Sequence, residues 1–334
     1  MQRNAVRFMF RAVLFVVLII GLIAGVAWWW HAKILHATGP HTDDRIVLVM
    51  PGDGHATIRW TLKRAGVISE LYGYDAARLM AGEKFVPKAG EYNIPAGEPL
   101  AGVLEILHQG RSLQRRLTVI EGLRSLQIQQ QLNDVEYLKG AVDAPPAEGS
   151  ILPETYFYTH GTTRAALIQR MQENRDMVLL DYWVNRKADL PYQTPEDAVI
   201  MASIIERESR NSAERKLVAG VFVNRLKRGM RLQSDPTVLY GVSSSPDGPI
   251  SKADLKRDTP WNTYRIKGLP KTPICNPGRD AIDAALNPAE TEFLYFVSDA
   301  KGGLLFAKTL DAHNKNVRLF RKRVRAKKAA QTAQ

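Results

Sequence analysis

The sequence predicts an α+β protein: a single N-terminal transmembrane helix, a small α/β module, and then a larger mixed α+β domain. Three observations carry this prediction. Residues 12–30, AVLFVVLIIGLIAGVAWWW, contain no charge. A β-branched run, a glycine turn and apolar residues six and ten positions on occur three times between residues 46 and 132. Beyond residue 148, helical patterns alternate with loops rich in Pro, Asn and aromatic residues.

The apolar run is long enough to span a bilayer as a helix, about 28 Å at ~1.5 Å per residue. Trp28, Trp29 and Trp30 close it, where indoles prefer the membrane interface. They also stand where a cleaved leader would carry small residues, so a retained anchor is expected. Arg3, Arg7 and Arg11 lie in residues 1–11, whereas Lys33 stands alone after the span and Asp43 and Asp44 follow. By the positive-inside rule the N-terminus is cytoplasmic and the body lies outside. His31, His36 and His41 are spaced by five, which does not align them on one helix face. No metal site is expected of them, and residues 31–45, with Gly39 and Pro40, read as a linker.

In the repeats, IVLVMPG ends at Gly52 with Ile58 and Leu62 to follow, YNIPAG at Gly97 with Val103 and Leu107, and LTVIEG at Gly122 with Ile128 and Leu132. Each reads as strand, turn, helix. Units this small must share a core with their neighbours. The first two copies mark a module at 46–112. It is a packing domain or a carbohydrate-binding module, and the lack of an obvious aromatic platform favours the former. The third copy opens a domain at 113–317.

That domain carries the chemistry. EGSILPETYFY places Glu154 and Tyr156 in an extended stretch, and a helix follows over about 163–187. In TPEDAVIMASIIERES, Thr194 is an N-cap, Pro195 fits N1 and Asp197 fits N3. Apolar residues surround this helix on nearly every side. Glu206 falls beside Val199, Ala202 and Ser203, which leave room for a ligand, whereas Glu208 falls between Ile204 and Met201 and is crowded. A carboxyl group on an apolar helix near its C-terminus resists ionisation, as a proton donor for glycosidic cleavage must. The alternative is a structural ion pair of Glu206 with Arg207 or Arg210. A helix over about 212–228 stops at Gly229. Beyond it, Gln233, Ser234, Asp235, Tyr240, Trp261, Asn262, Tyr264 and Asn276 gather on loops, a set suited to an uncharged sugar. Gly302-Gly303 reads as a hairpin turn. No histidine lies between His160 and His313, which argues against a metal hydrolase or a serine triad in this region. No cofactor is expected.

The composition fits. The chain has 334 residues and a formal charge of +12. Residues 1–11 hold +3 of it and residues 318–334 hold +7, leaving +2 on the body. This is not a nucleic-acid footprint. The one cysteine, Cys275, excludes an intramolecular disulfide, and an unpaired thiol is best buried.

From about Ile46 to Asn316 the chain resembles the endolytic murein transglycosylases, the MltG or YceG-like family. The stretches EGSILPETY, ASIIERES, VFVNRLKRGMRLQSDPTVLYG, NTYRIKGLP, NPGRDAIDAALNP, LYFVSD and the HN of DAHNKNV carry the resemblance. It implies an inner-membrane protein anchored by residues 12–30, a LysM-like module at 46–112 and a periplasmic catalytic domain at 113–317. It implies cleavage of the β-1,4 bond between N-acetylmuramic acid and N-acetylglucosamine within nascent peptidoglycan strands. The products carry 1,6-anhydromuramoyl ends, elongation stops, and the strand synthases are candidate partners. The first acid of the helix motif, Glu206, takes the role of the single acid/base. Gln233, Asp235, Tyr240, Asn262, Tyr264, Glu154 and Tyr156 are the expected substrate contacts. Two alternatives stand beside this: a hydrolytic muramidase with Asp235 as second carboxylate, and a non-catalytic glycan-binding anchor. The chain departs from the family pattern at VIEG, at Lys271-Thr272 and at Leu304-Leu305, where the family often has a histidine. The resemblance assigns no role to the basic tail, 318–334.

Overall fold

A computed structural model describes residues 2–81, 85–209, 211–242 and 248–332. The chain forms two compact units, Met1–Arg115 and Arg116–Gln334.

The first unit begins with α1 (Gln2–His36). Its stretch from Met9 to His36 is long and apolar enough to cross a membrane. The helix does not stop at Trp30 but continues into residues expected as linker. Ile34 and Leu35 pack on the module core, and Trp30 stacks on Tyr72 with ring centroids 6.0 Å apart. Strand β1 (Arg45–Val49) pairs antiparallel with β2 (Gly90–Ile94), so that Val49 faces Gly90. Helices α2 (His55–Arg64) and α3 (Leu71–Ala81) lie between the strands in sequence, and α4 (Leu100–Gln109) follows β2. The spacing read in the repeats is the spacing of the core: Ile58, Leu62, Val103 and Leu107 are all buried. Gly52 and Gly97 turn the chain at φ +89° and +69°, a region where a β-carbon is strained.

The second unit takes up the third repeat. Strand β3 (Arg115–Thr118) leads into α5 (Ser125–Asp134), whose Ile128 and Leu132 are buried. Its partner strand is β4 (Thr155–Tyr158). Helix α6 (Arg164–Val184) is capped by the Thr163 hydroxyl. Helix α7 (Pro195–Glu208) starts on the expected capping box, in which Thr194 and Asp197 each accept from the other's backbone N–H. It is buried on almost every side and packs on α6, on α8 (Ser212–Lys227) and on α10 (Arg279–Leu286). Short helix α9 (Asp235–Val242) follows α8 in the chain. Strands β5 (Tyr295–Ser298) and β6 (Leu304–Ala307) form the expected antiparallel hairpin. The C-terminal residues expected as a tail continue α11 (Leu310–Thr332). Cys275 is buried, and its thiol donates to the Ser203 carbonyl at 3.3 Å.

Candidate active site

Glu206 and Glu208 occupy the end of α7. Two residues subtend about 200° on a helix, so the carboxylates leave on opposite sides. Glu206 turns toward the third-repeat turn and the loop before α10. Its Oε1 accepts from Arg215 Nη2 at 2.6 Å, and its Oε2 accepts from the Gly278 N–H at 2.9 Å. Arg215 also reaches Glu121 at 3.2 Å and lies 3.8 Å from Asp280. Glu206 is only 8% exposed and Arg215 only 6%. Burial pushes the Glu206 carboxyl up, the Gly278 N–H and then Arg215 pull it down, and Glu121 and Asp280 raise it again. The backbone closes tightly over this knot. A β-carbon on Gly278 would strike the Glu121 side chain, and one on Gly122 would meet Glu206 and Arg207. A buried ion pair of the kind weighed in the sequence is therefore present, with Arg215 as a partner of Glu206; Arg210 lies outside the described residues.

Glu208 leaves on the other side and opens on a cavity of about 500 Å³. Gln233, Asp235, Tyr264, Tyr295 and His313 share its walls. Ser234 Oγ donates to Glu208 Oε1 at 2.6 Å. Burial pushes the Glu208 carboxyl from 4.5 up to about 7; the Ser234 hydroxyl opposes this, Asp235 adds to it, and Arg225 opposes it. The last turn of α7 contributes further, since the negative end of a helix disfavours an anion. On the Glu206 side the Gly122 turn lies close, where a β-carbon would stand 3.6 Å from Glu206 Cγ.

The cavity floor is built from the LQSDP segment. Gln233 holds φ +52°, a left-handed conformation unusual for a residue with a side chain. Its N–H donates to the Thr263 carbonyl at 3.2 Å, and the Ser234 N–H donates to Thr263 Oγ1 at 2.9 Å. Arg225 ties the segment to the hairpin side: its Nη1 donates to the Leu232 carbonyl at 2.7 Å and its Nε to the Leu294 carbonyl at 2.6 Å. The same guanidinium stands 5.2 Å from the Tyr295 ring centroid. Tyr264 donates its hydroxyl to Asp235 Oδ1 at 2.6 Å. His313 stacks on Tyr295 at 5.2 Å, and its buried Nδ1 has no hydrogen-bond partner. Desolvation and Arg225 both push this imidazole toward its neutral form.

The expected substrate contacts thus divide. Gln233, Asp235 and Tyr264 line the cavity with Glu208. Tyr240 does not: its hydroxyl donates to Glu148 at 3.2 Å, and its ring meets the Trp261 ring edge-on and the Arg124 guanidinium at 4.9 Å. Asn262 is fully buried, and its amide nitrogen is consumed by the carbonyls of Asp254, Leu255 and Arg257. It holds a loop and cannot reach a sugar. Tyr156 is a core residue whose hydroxyl donates to the Leu152 carbonyl at 2.7 Å, and Glu154 is paired with Arg279. Residues on extended, aromatic-rich segments look alike in sequence whether they face a ligand or a core. Arg225 and His313 went unread as cavity residues. The HN of DAHNKNV was the available signal for the histidine.

A model of the YceG-like family matches residues 47–319. An endolytic murein transglycosylase of Bacillus subtilis is 30% identical over 327 residues, spanning 88% of this chain and 90% of that protein. One from Streptococcus pneumoniae is 35% identical over 178 residues, 51% of this chain but only 31% of the relative. The crystal structure of a yceG-like protein from Listeria monocytogenes superposes with a TM-score of 0.52 at 26% identity, covering 82% of this chain and 98% of that one. A family match over residues 47–319 takes in both the module and the whole of the cavity described above, and the chain belongs to the YceG-like family.

Proposed function

We propose that the protein is an endolytic murein transglycosylase, a lyase of peptidoglycan strands, and that Glu208 is its acid/base group. The observation that carries the assignment is the place of Glu208 on the wall of a polar, aromatic cavity, hydrogen-bonded to Ser234, where burial raises its carboxyl group. The sequence and the resemblance favour Glu206, whose carboxylate is held by Arg215 and the Gly278 N–H. Burial raises both carboxyl groups, but Glu206 is tied to a buried arginine and a backbone N–H, whereas Glu208 reaches the cavity with its acid form favoured.

The step is self-contained. Glu208 in its acid form protonates the glycosidic oxygen between N-acetylmuramic acid and N-acetylglucosamine. The C1–O bond breaks with its electron pair going to that oxygen, and positive charge develops at C1. The Glu208 carboxylate then takes the proton from the C6 hydroxyl of the muramoyl residue. O6 closes on C1 to give the 1,6-anhydro end, and Glu208 is again protonated. Water is not consumed. Ser234 orients the carboxyl group, Tyr264 is held by Asp235, and the Gln233 amide and the Tyr295 ring suit hydrogen bonding and stacking to sugars. Asp235 beside Glu208 keeps a hydrolytic route in view, because hydrolysis needs a second carboxylate. Digestion of defined glycan strands with mass analysis of the products decides between them: anhydro ends support the lytic cut, and reducing ends overturn it.

The same reading places α1 across the inner membrane with its N-terminus cytoplasmic and the rest of the chain periplasmic. It treats residues 46–112 as a LysM-like glycan-binding module, so that cleavage falls on strands emerging at the membrane and ends their elongation. Retention of the protein on purified sacculi, lost when the module is removed, is the expected result.

A further inference from the structure

We infer that α3 is an interfacial helix: its outward face sits in the outer leaflet of the bilayer that α1 crosses. The inference rests on the membrane-anchor reading above and goes beyond it, because an anchor alone leaves the module free on a tether.

Helix α3 is apolar on two sides. Gly73, Tyr74 and Ala77 face the module core. Tyr72, Ala76, Leu79 and Met80, at helical spacings of three and four, form a second stripe on the far side. Leu79 is 83% exposed and Met80 61%. At about 100° per residue Asp75 and Arg78 fall together on one edge between the two faces, and on the other edge Met80 adjoins Gly73. A wide apolar arc with a single polar edge lets a helix rest one flank on protein and the other on lipid.

The position of the second stripe names the occupant. It continues onto α1 across a crevice of about 420 Å³, bounded by Ala24, Ala27 and Trp28 on α1 and by Ala76 and Met80 on α3, with no charged side chain among the described residues of its lining. Ala24 and Ala27 belong to the uncharged run 12–30. At ~1.5 Å per residue, Ala24 lies about 9 Å inside the end of that run at Trp30. An interfacial helix buries its apolar face to about 5–10 Å, the same depth. Farther along α1 a second crevice, of about 400 Å³, is lined by Lys33, Ser69 and Glu70 as well as Trp29 and Tyr72. Among the described residues the lining changes from apolar to polar along the helix axis, as the bilayer does from acyl chains to headgroups. Lys33 Nζ, 5.2 Å from the Trp29 ring centroid, stands at the change.

The module is held in this seat. Trp30 stacks on Tyr72, a β-carbon on Gly73 would lie 3.3 Å from Ile34, and Ile34 and Leu35 join the core. The Gly39 N–H donates to the Gly97 carbonyl at 2.9 Å, the Gly97 N–H to the His41 carbonyl at 2.8 Å, and the His41 ring bonds the Pro95 carbonyl at 2.7 Å. The segment after α1 is a brace.

The test uses the full chain with single substitutions Leu14→Cys, Leu79→Cys or Met80→Cys, labelled with an environment-sensitive fluorophore. Cys275 is buried with its thiol pushed well up, so it stays unlabelled, and the unsubstituted chain is the blank. The proteins are reconstituted into phosphatidylethanolamine/phosphatidylglycerol vesicles with or without lipids brominated in the upper acyl chain. The expected result is quenching of all three probes, with positions 79 and 80 reaching at least half the value at position 14. Quenching at 14 with none at 79 and 80 overturns the seating and leaves the anchor standing, as does shielding of 79 and 80 by a second protein copy. No quenching at 14 overturns the anchor and the seating with it.

Discussion

Glu206 and Glu208 are chemically identical and differ in what faces them. Glu206→Gln leaves Arg215 buried without its nearest anion, so a loss of about 1–3 kcal/mol in chemical denaturation is expected, with cleavage retained wherever the variant is folded. Glu208→Gln has the opposite signature. Cleavage falls by at least two orders of magnitude, in line with the loss of a general acid, and the fold survives. Its stability depends on pH in a defined direction. In the unfolded chain Glu208 ionises near 4.5, and in the native chain near 7. Between these values the native state holds the extra proton, so the parent loses stability as pH rises through that window. The glutamine variant lacks this loss and should exceed its parent by about 1–3 kcal/mol above pH 7 while matching it below pH 4. The parent's cleavage rate should fall above pH 7 as the acid form is lost. The sequence marks this helix turn, but it separates the two acids only by neighbours on the same helix. The contacts that distinguish them in space, Arg215, Gly278 and Ser234, come from other segments, and a helical wheel does not contain them.

At the scale of elements, local grammar was legible where it was repeated or capped. The three turn glycines, the apolar positions six and ten residues on, the Thr194 box and the Gly302-Gly303 hairpin all recur in the structure because neighbouring residues alone determine them. The LQSDP segment was legible as polar, but its shape was not. Its form depends on Thr263 and Arg225, 30 and 8 residues from Gln233 in the chain. The left-handed Gln233 gives the element its own test. Gln233→Gly relieves a strained φ and should raise stability by up to about 1 kcal/mol. It also removes the amide from the cavity, so cleavage should fall several-fold even as the melting temperature rises. A variant that gains stability and keeps full activity would remove Gln233 from the list of sugar contacts.

At the scale of the whole molecule, the C-terminal charge to which the resemblance assigns no role finds a structural place. The seven basic residues after Val317 lie on α11, not on a free tail. One face of that helix is half-buried through His313, Val317, Phe320, Arg323 and Val324, while Arg321, Lys322, Arg325 and Lys327 are exposed. Arg323 Nη1 donates to the Asp299 carbonyl at 2.8 Å, in the turn of the β5–β6 hairpin that supplies Tyr295–Ser298 to the cavity. The helix is therefore a buttress for the cavity wall, and its charges mark the solvent side. These two attributes separate experimentally. Ending the chain at Leu319 removes Phe320, Arg323 and Val324, and should cost about 1–3 kcal/mol and lower cleavage of soluble glycan strands several-fold with no membrane present. Replacing Arg321, Lys322, Arg325 and Lys327 together with glutamine keeps the buried face, and should leave stability within about 0.5 kcal/mol and cleavage within about twofold. If the charge-free variant loses as much activity as the truncation, the basic face itself contacts the substrate and the buttress is not its main role. If neither change matters, the hairpin wall stands without α11, and the half-buried face of this helix has another purpose.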